Sequence, residues 1–470
     1  MLVLGLLFPI AFGFVISLVI TPGISIVERI ALAFGLGYGL LTLAMFLLNV
    51  SGFQFSLINT TLLLSGIIIP ALFYLKLKRW SNLPSLRKTS PAPRKSGIRI
   101  PLSTFEITMI VLLVFFALSN VIIAAYWPVH SWDALSTYDL RARIFAETKS
   151  IPEAADRIRD NFFLPWYIQG VFAYPPMTSL VHTWLYLSGW ENPKVFYPLL
   201  LISLATIFYF SLRDYTPRYH SLLFTLILVT VPFFYEQVPR ALLNIPFAFY
   251  FSVGTFYLYR WMLDQKRGFL VLSGLLLGLA SWVRRESLIF FLGYLIILAI
   301  YSIRRRRFLA PLLFSLPYLS IEFLWGTYTL NVLHIRSATT IPSLLVVLRR
   351  WPELFDLERW KEFGPFLWSK LGAFRIPFFL GIAVILLYFD RIRQHRFLFG
   401  LVLSNLLLFV GGSYFFIVIR GWRPFANAPT RFFLVFLPII CYFVALVTAE
   451  RGLLPEDGSV HRSRKTENAL

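Results

Sequence analysis

The chain is predicted to fold as an all-α polytopic membrane protein of about 13 transmembrane helices, with amphipathic juxtamembrane helices in its first long loop. Three observations carry this expectation. Of 470 residues, 58% are hydrophobic and only 14% charged, against about 25% charged in a soluble domain. The apolar residues come in unbroken runs that close their own backbone hydrogen bonds as helices, where a barrel would alternate. The cations sit in short loops between runs, which is how a multispanning chain fixes its orientation.

Runs at about 2–20, 30–50 and 56–75 predict three helices, with Thr21-Pro22-Gly23 and Ser51-Gly52 marking the breaks. Residues 1–75 therefore read as an N-terminal three-helix membrane extension. Met1-Leu2-Val3-Leu4 opens the chain with no basic residue, so a first spanning helix is expected and not a cleaved signal. The linker 76–105 carries Lys76, Lys78, Arg79, Arg87, Lys88, Arg94, Lys95 and Arg99 without an acid, which assigns it to the cytoplasm. The 106–126 run then crosses outward, and the loop opened by Trp127 faces outside.

Further runs lie near 194–212, 220–235, 245–262, 268–283, 287–303, 308–328, 365–389, 397–419 and 432–448. Alternation puts Arg213/Arg218, Arg260/Lys266/Arg267, Arg304 to Arg307, Arg391/Arg393/Arg396 and the polar tail 451–470 in the cytoplasm. The short, polar segment 177–190 interrupts this scheme. Either it does not fully cross, or Arg213 and Arg218 break the rule. The net charge of +21 is accounted for by these loops, and no basic domain offers a surface for nucleic acid. Cys441, the single cysteine, lies in an apolar run, so no disulfide framework or cysteine metal site is expected.

The stretch 127–176 is the longest without a spanning run upstream of the second such loop, near 329–364. It holds six of the 23 acidic residues, Asp133, Asp139, Glu147, Glu153, Asp156 and Asp160. Loops of this length are usually functional or disordered, and six aromatics between Phe162 and Tyr174 argue against disorder. It reads as the active-site loop of a membrane enzyme. The second loop carries Trp351-Pro352-Glu353-Leu354-Phe355 and Trp360, amphipathic enough to lie at the interface.

Asp133, a few residues beyond the membrane exit, suits a general base whose basicity desolvation would raise; alternatively, Asp133 or Ser131 caps a helix beginning at Ala134. Asp139, Arg143 and Glu147 are spaced as a charge ladder on one helix face, with Leu135, Tyr138, Ala142 and Phe145 as an apolar stripe. On a straight helix Asp133 lies about 240° from Asp139, which weakens a two-carboxylate hydrolase. Arg284-Arg285-Glu286 interrupts two apolar runs on the same side; one arginine pairs with Glu286, or the group is functional. Arg420, Arg423 and Arg431 run against the positive-inside bias, so a phosphate or a lipid headgroup is expected to meet them. His130, Asp133 and His182 support a metal only weakly, and no glycine-rich phosphate loop is present.

Taken in order, these pieces resemble the GT-C glycosyltransferases, near the protein O-mannosyltransferases and lipid A aminoarabinose transferases. Asp133 stands where that family has its catalytic acid. Tyr174-Pro175-Pro176-Met177 is similar to its Pro-Pro-Leu helix start, and Val231-Pro232-Phe233-Phe234-Tyr235 through Arg240 to Asn244-Ile245-Pro246 to its second external segment. Gly274 to Arg285 and Arg431-Phe432 before Pro438 resemble two later motifs. The resemblance covers about 106–450, which would be the catalytic domain. The family often has an acid at Asn244 and often a single helix before its catalytic loop, where this chain has four.

The resemblance implies an inverting transfer of a sugar from a polyprenyl phosphate donor to an extracytoplasmic hydroxyl, at the outer face of a prokaryotic plasma membrane. It makes Asp133 the general base and gives Arg285, Arg431 and Arg423 the donor phosphate. Tyr138, Asp139, Tyr174, Glu286, Arg240 and Asn244 would line the substrates. No cofactor is implied, a divalent metal being the lesser alternative; the partners are the donor, membrane lipids and the acceptor. A lipid-linked sugar flippase and a surface-polysaccharide ligase or polymerase are the rival readings.

Overall fold

The computed structural model describes residues 2–82, 101–161, 165–335, 349–419 and 428–449, and every regular element among them is helical. Eight described helices are long and apolar enough to cross a membrane, or nine with one bent pair. Most of the basic linker, the tail 451–470, Phe162 and Phe163, part of the second long loop, and Arg420 and Arg423 fall outside the described residues.

Helices α1 (Leu2–Ile20) and α2 (Ile26–Val50) form a hairpin. Ser25 caps α2 by accepting the Glu28 N–H at 3.2 Å. The pair touches backbone to backbone: a Cβ on Gly37 would sit 1.9 Å from the Pro9 carbonyl oxygen, and one on Gly13 would sit 2.2 Å from that of Ala33. Small residues permit this approach where lipid supplies no hydrophobic drive between helices. α2 is an interior helix, not a peripheral one. Its Gly35 carbonyl accepts the Tyr250 hydroxyl at 2.7 Å, and its Thr42 accepts the Trp282 indole at 3.1 Å. Of the three helices expected as an extension, α2 thus lies in the interior of the bundle.

α3 (Leu57–Asn82) and α4 (Thr104–Tyr126) leave apolar flanks uncovered, including Ile69, Phe73, Phe115 and Ile122. That is the surface a helix against lipid presents. The long loop then forms a π-turn over Ala134–Tyr138 and three short helices, α5 (Asp139–Thr148), α6 (Ile151–Asn161) and α7 (Pro165–Val171).

α8 (Met177–Leu187) falls where the expected alternation conflicts with the positive loops. Eleven residues rise only about 16 Å, half a bilayer core. The chain after it comes back to the end of α4: Asn192 Nδ2 donates to Ala124 O at 2.9 Å, and Lys194 Nζ donates to Trp127 O at 2.9 Å. The segment 177–190 therefore begins and ends on one face of the bundle, which we call the loop face. α9 (Phe196–Arg213) leads away from it. Arg218 accordingly meets Glu106 at the opposite end of α4, at 2.6 Å.

α10 (Arg218–Thr230) and α11 (Pro232–Gln237) meet at a 60° bend, because Pro232 cannot continue the ladder. The run 220–235 is therefore a broken helix. α12 (Asn244–Asp264) and α13 (Arg267–Val283) lie at the core, followed by α14 (Ser287–Arg304) and α15 (Ala310–Asn331). Opposite the loop face, buried Arg260 bridges Glu28 of α2 and Asp214 after α9.

The second long loop supplies a 3-10 turn at Trp351–Phe355 and α16 (Leu357–Lys370), capped by Asp356. Glu353 gathers Arg350 and Arg359, and Trp360 stacks on Tyr414 with ring centroids 4.3 Å apart. The run 365–389 is not one helix, since α17 (Arg375–Leu387) starts afresh after a turn at Gly372–Phe374. α18 (Phe389–Gln394), α19 (Arg396–Tyr414), α20 (Ala428–Phe433) and α21 (Leu437–Thr448) complete the bundle.

Candidate active site

The loop is held to the bundle by an arginine that sequence reasoning passed over. Arg141 is fully buried, and its guanidinium donates to Ser179 Oγ at 2.9 Å and to the carbonyls of Val171 at 3.0 Å, Tyr174 at 2.9 Å and Pro175 at 3.1 Å. All these acceptors are neutral, and burial pulls its pKa down to about 9. One planar fork thus ties α5 to the turn before α8 and places Tyr174 beside Tyr138. The signal available in the sequence was the turn Tyr174-Pro175-Pro176, whose prolines leave carbonyls without partners of their own.

The expected amphipathic stripe holds for Tyr138, Ala142 and Phe145, which are buried, but Leu135 is 47% exposed. The π-turn adds a residue to one turn and swings Leu135 out of line. The charge ladder is half realised. Arg143 Nε reaches Asp139 at 2.9 Å, while Glu147 pairs with Arg157 at 2.6 Å.

Asp139 is enclosed by its neighbours. It is 1% exposed, and it accepts from His182 Nδ1 at 2.9 Å, Tyr186 Oη at 2.5 Å and Arg143. Burial pushes its carboxyl up, but the hydrogen bond and charge of His182, with Tyr186 and Arg143, bring it down to about 2. The expectation that it contacts substrate finds no geometric support; the three partners occupy it.

Asp133 is placed differently. Its side chain makes no capping bond and is 43% exposed, so neither the cap nor the desolvated environment expected of it is present. Its partner is Arg431 of α20, whose Nη1 donates to Oδ2 at 2.6 Å. The two line a cleft of about 330 Å3 with His130, Ser131, Trp132, Arg240 and Leu242. Arg240 reaches toward this cleft from the turn after α11 and is loosely paired with Glu236 at 3.7 Å. Trp132 stands at the rim, 81% exposed.

Behind the cleft, Tyr138 and Tyr174 meet edge to face at 6.0 Å. Burial pushes both phenols above their ordinary value, so they remain neutral hydroxyl donors. The Arg284 guanidinium packs over the rings of Tyr174 at 5.7 Å and Phe432 at 4.8 Å and binds Glu286 at 2.9 Å. Asn244 is buried, donates to Gln237 Oε1 at 3.0 Å, and lies 3.5 Å from Arg284 Nη1. Asn244 and Glu286 thus hold Arg284 instead of lining the cleft.

Arg285, expected at the donor phosphate, is outside this cleft. Arg284 ends α13 in extended backbone, φ −148°, which sends consecutive side chains to opposite sides. The Arg285 guanidinium lies against Gly326 of α15, and its buried Nε has no hydrogen-bond partner among the described residues. Arg423 lies outside the described residues. Among the described residues no three His, Cys, Asp or Glu gather as metal ligands: His182 serves Asp139, and His130 Nδ1 donates to Pro128 O at 3.2 Å.

The arrangement brings one carboxylate and two guanidinium groups to an open cleft, with two neutral phenols and a third guanidinium behind it. Such a set can accept a proton and hold an anion at the same place. Comparison of the chain with family models, with curated proteins and with solved structures finds no match.

Proposed function

We propose that the chain is an inverting membrane glycosyltransferase of GT-C-like architecture, transferring a sugar from a polyprenyl phosphate to an extracytoplasmic hydroxyl. The observation that carries the reading is Asp133, paired with Arg431 in an open cleft it shares with Arg240. In this reading the chain crosses about thirteen times, α8 dipping in without crossing. Arg213, Arg218, Arg260, Lys266 and Arg304 to Arg307 then share the cytoplasmic side, which leaves the cleft outside.

The donor phosphate sits against Arg431 and Arg240, whose forks match its oxygens. Asp133 takes the proton of the acceptor hydroxyl as the acceptor oxygen bonds to the anomeric carbon. The bond from that carbon to the phosphate oxygen breaks with its electron pair, and polyprenyl phosphate departs as an anion that the guanidinium groups stabilise without a separate acid. Trp132 at the rim offers a stacking face for a sugar ring.

A deletion strain carrying either wild-type protein or Asp133→Asn tests this, read by mass spectrometry of surface glycans. Wild type is expected to restore one missing sugar and Asp133→Asn to leave it missing while the protein is made at normal levels. Restoration by Asp133→Asn would point to a transporter instead.

A further inference from the structure

Asp133 and Arg431 neutralise each other in the structure, yet the proposed chemistry needs each of them for a different partner. A carboxylate held by a guanidinium at 2.6 Å has its Oδ2 engaged, so that oxygen cannot meet an acceptor hydroxyl at the same time. A guanidinium so held has fewer donors for a phosphate. Neither has another hydrogen-bond partner among the described residues, and both side chains are about two-fifths exposed, so the pair can open without leaving a buried charge behind. Each group is also anchored from behind. Asp133 begins the π-turn that carries Tyr138, and Arg431 adjoins Phe432, on which Arg284 packs. Arg240, across the cleft, has only a loose contact with Glu236 and is a second cation already free to meet an anion.

From this we infer that the pair is a substrate-operated latch. A phosphate monoester or diester entering the cleft takes Arg431 from Asp133, and only then does the carboxylate become available to the acceptor hydroxyl. The latch rests on the glycosyltransferase reading and adds an order to it, donor before proton transfer. It also limits activation of water or a stray hydroxyl, because Oδ2 of Asp133 stays on Arg431 until a donor is seated. The pair is local enough for such a switch: it joins the loop to a six-residue helix, and opening it moves two side chains, not a domain.

The latch predicts that removing the catalytic carboxylate improves phosphate binding. In nanodiscs of phosphatidylcholine, with a short-chain polyprenyl phosphate as the probe, Asp133→Asn should bind about two- to fivefold more tightly than wild type, the range that breaking one exposed ion pair releases. Asp133→Ser should behave alike, which covers the case of an asparagine variant that folds poorly. In an Arg431→Gln background the gain should vanish. A gain that persists in that background would be relief of simple repulsion, and no gain at all would mean the pair does not compete with phosphate; either result overturns the latch while leaving the donor reading intact. If wild-type protein binds no polyprenyl phosphate, the donor reading fails and the latch with it.

Discussion

Asp133 and Asp139 are six residues apart on one loop and live under opposite conditions. Asp139 is 1% exposed and takes hydrogen bonds from His182, Tyr186 and Arg143. Asp133 is 43% exposed on its side chain and holds one partner, Arg431, drawn from 298 positions along the chain. The arginines divide in the same way. Arg141 spends its fork on three carbonyls and a hydroxyl inside the protein, while Arg431 faces a cleft. A polar group that is buried and saturated builds the loop, and one with a single exchangeable partner at an opening can work on something else. The loop thus holds one saturated aspartate and one exchangeable one, separated by one turn of widened helix.

Breaking the exposed member should give the largest effect on transfer and the smallest on folding. Asp133→Asn is expected to slow transfer about 10²- to 10⁴-fold, the usual worth of a general base. Its unfolding free energy should stay within about 0.5 kcal/mol of wild type, as for an exposed substitution. Paired activity and thermal-unfolding measurements check both. Transfer that survives the substitution at wild-type rate would remove Asp133 from the chemistry.

The buried members should show the reverse. Arg141→Lys keeps the charge but cannot span Ser179, Val171, Tyr174 and Pro175 from one point, so two or more acceptors lose their donor. A loss of about 3 kcal/mol in stability is expected, seen as a lowered unfolding temperature in detergent. Activity should fall in parallel and return on cooling. An Arg141→Lys protein as stable as wild type would mean that the fork is not what holds the loop.

Asp139 allows the same contrast to be read by pH. Its folded carboxyl lies near 2, below the unfolded value of about 3.9. A depressed pKa contributes stability above the unfolded value, and that contribution is lost as pH falls through the folded one. The stability gap between wild type and Asp139→Asn should therefore be full, about 2 kcal/mol, above pH 4 and should close between about pH 4 and pH 2. Referring each measurement to the variant cancels the other carboxylates. A gap that does not change with pH would show that Asp139 matters only through its shape.

Much of this was legible in the residues, and the part that was not has a common cause. Apolar runs and basic loops located most of the helices, because spanning length and charge bias act locally along the chain. The placement of Asp133 after α4 and of Arg431 at a late turn could be read in order, although their contact depends on the closing of the whole bundle. The central position of α2 could not be read. Its apolar run looks like any lipid-facing helix, and only the glycines at 35, 37 and 39 hinted at close neighbours. The π-turn at Ala134–Tyr138 and the bend at Pro232 both shift helical phase, and phase is what a periodicity argument assumes. Arg284 and Arg285 are adjacent and chemically identical, so the choice between them rested on the backbone leaving α13 in an extended conformation.

That choice supplies the subtlest test of the comparison between occupied and available groups. Arg284 packs over Tyr174 and Phe432, next to Arg431, and although burial pulls its pKa down, its neighbours, Glu286 foremost, hold it above the ordinary value. Arg285 turns toward Gly326 and lines no part of the Asp133 cleft. Arg284→Gln should release Phe432 and Tyr174, loosen Arg431, and weaken polyprenyl phosphate binding about tenfold, or about 1.4 kcal/mol. Arg285→Gln should change it by less than about twofold, close to the noise expected of a substitution outside the site. Titration of both variants in the same nanodiscs decides between them. Should Arg285→Gln prove the more damaging, the phosphate would have to sit between α13 and α15 near Gly326, and the cleft at Asp133 would belong to the acceptor alone.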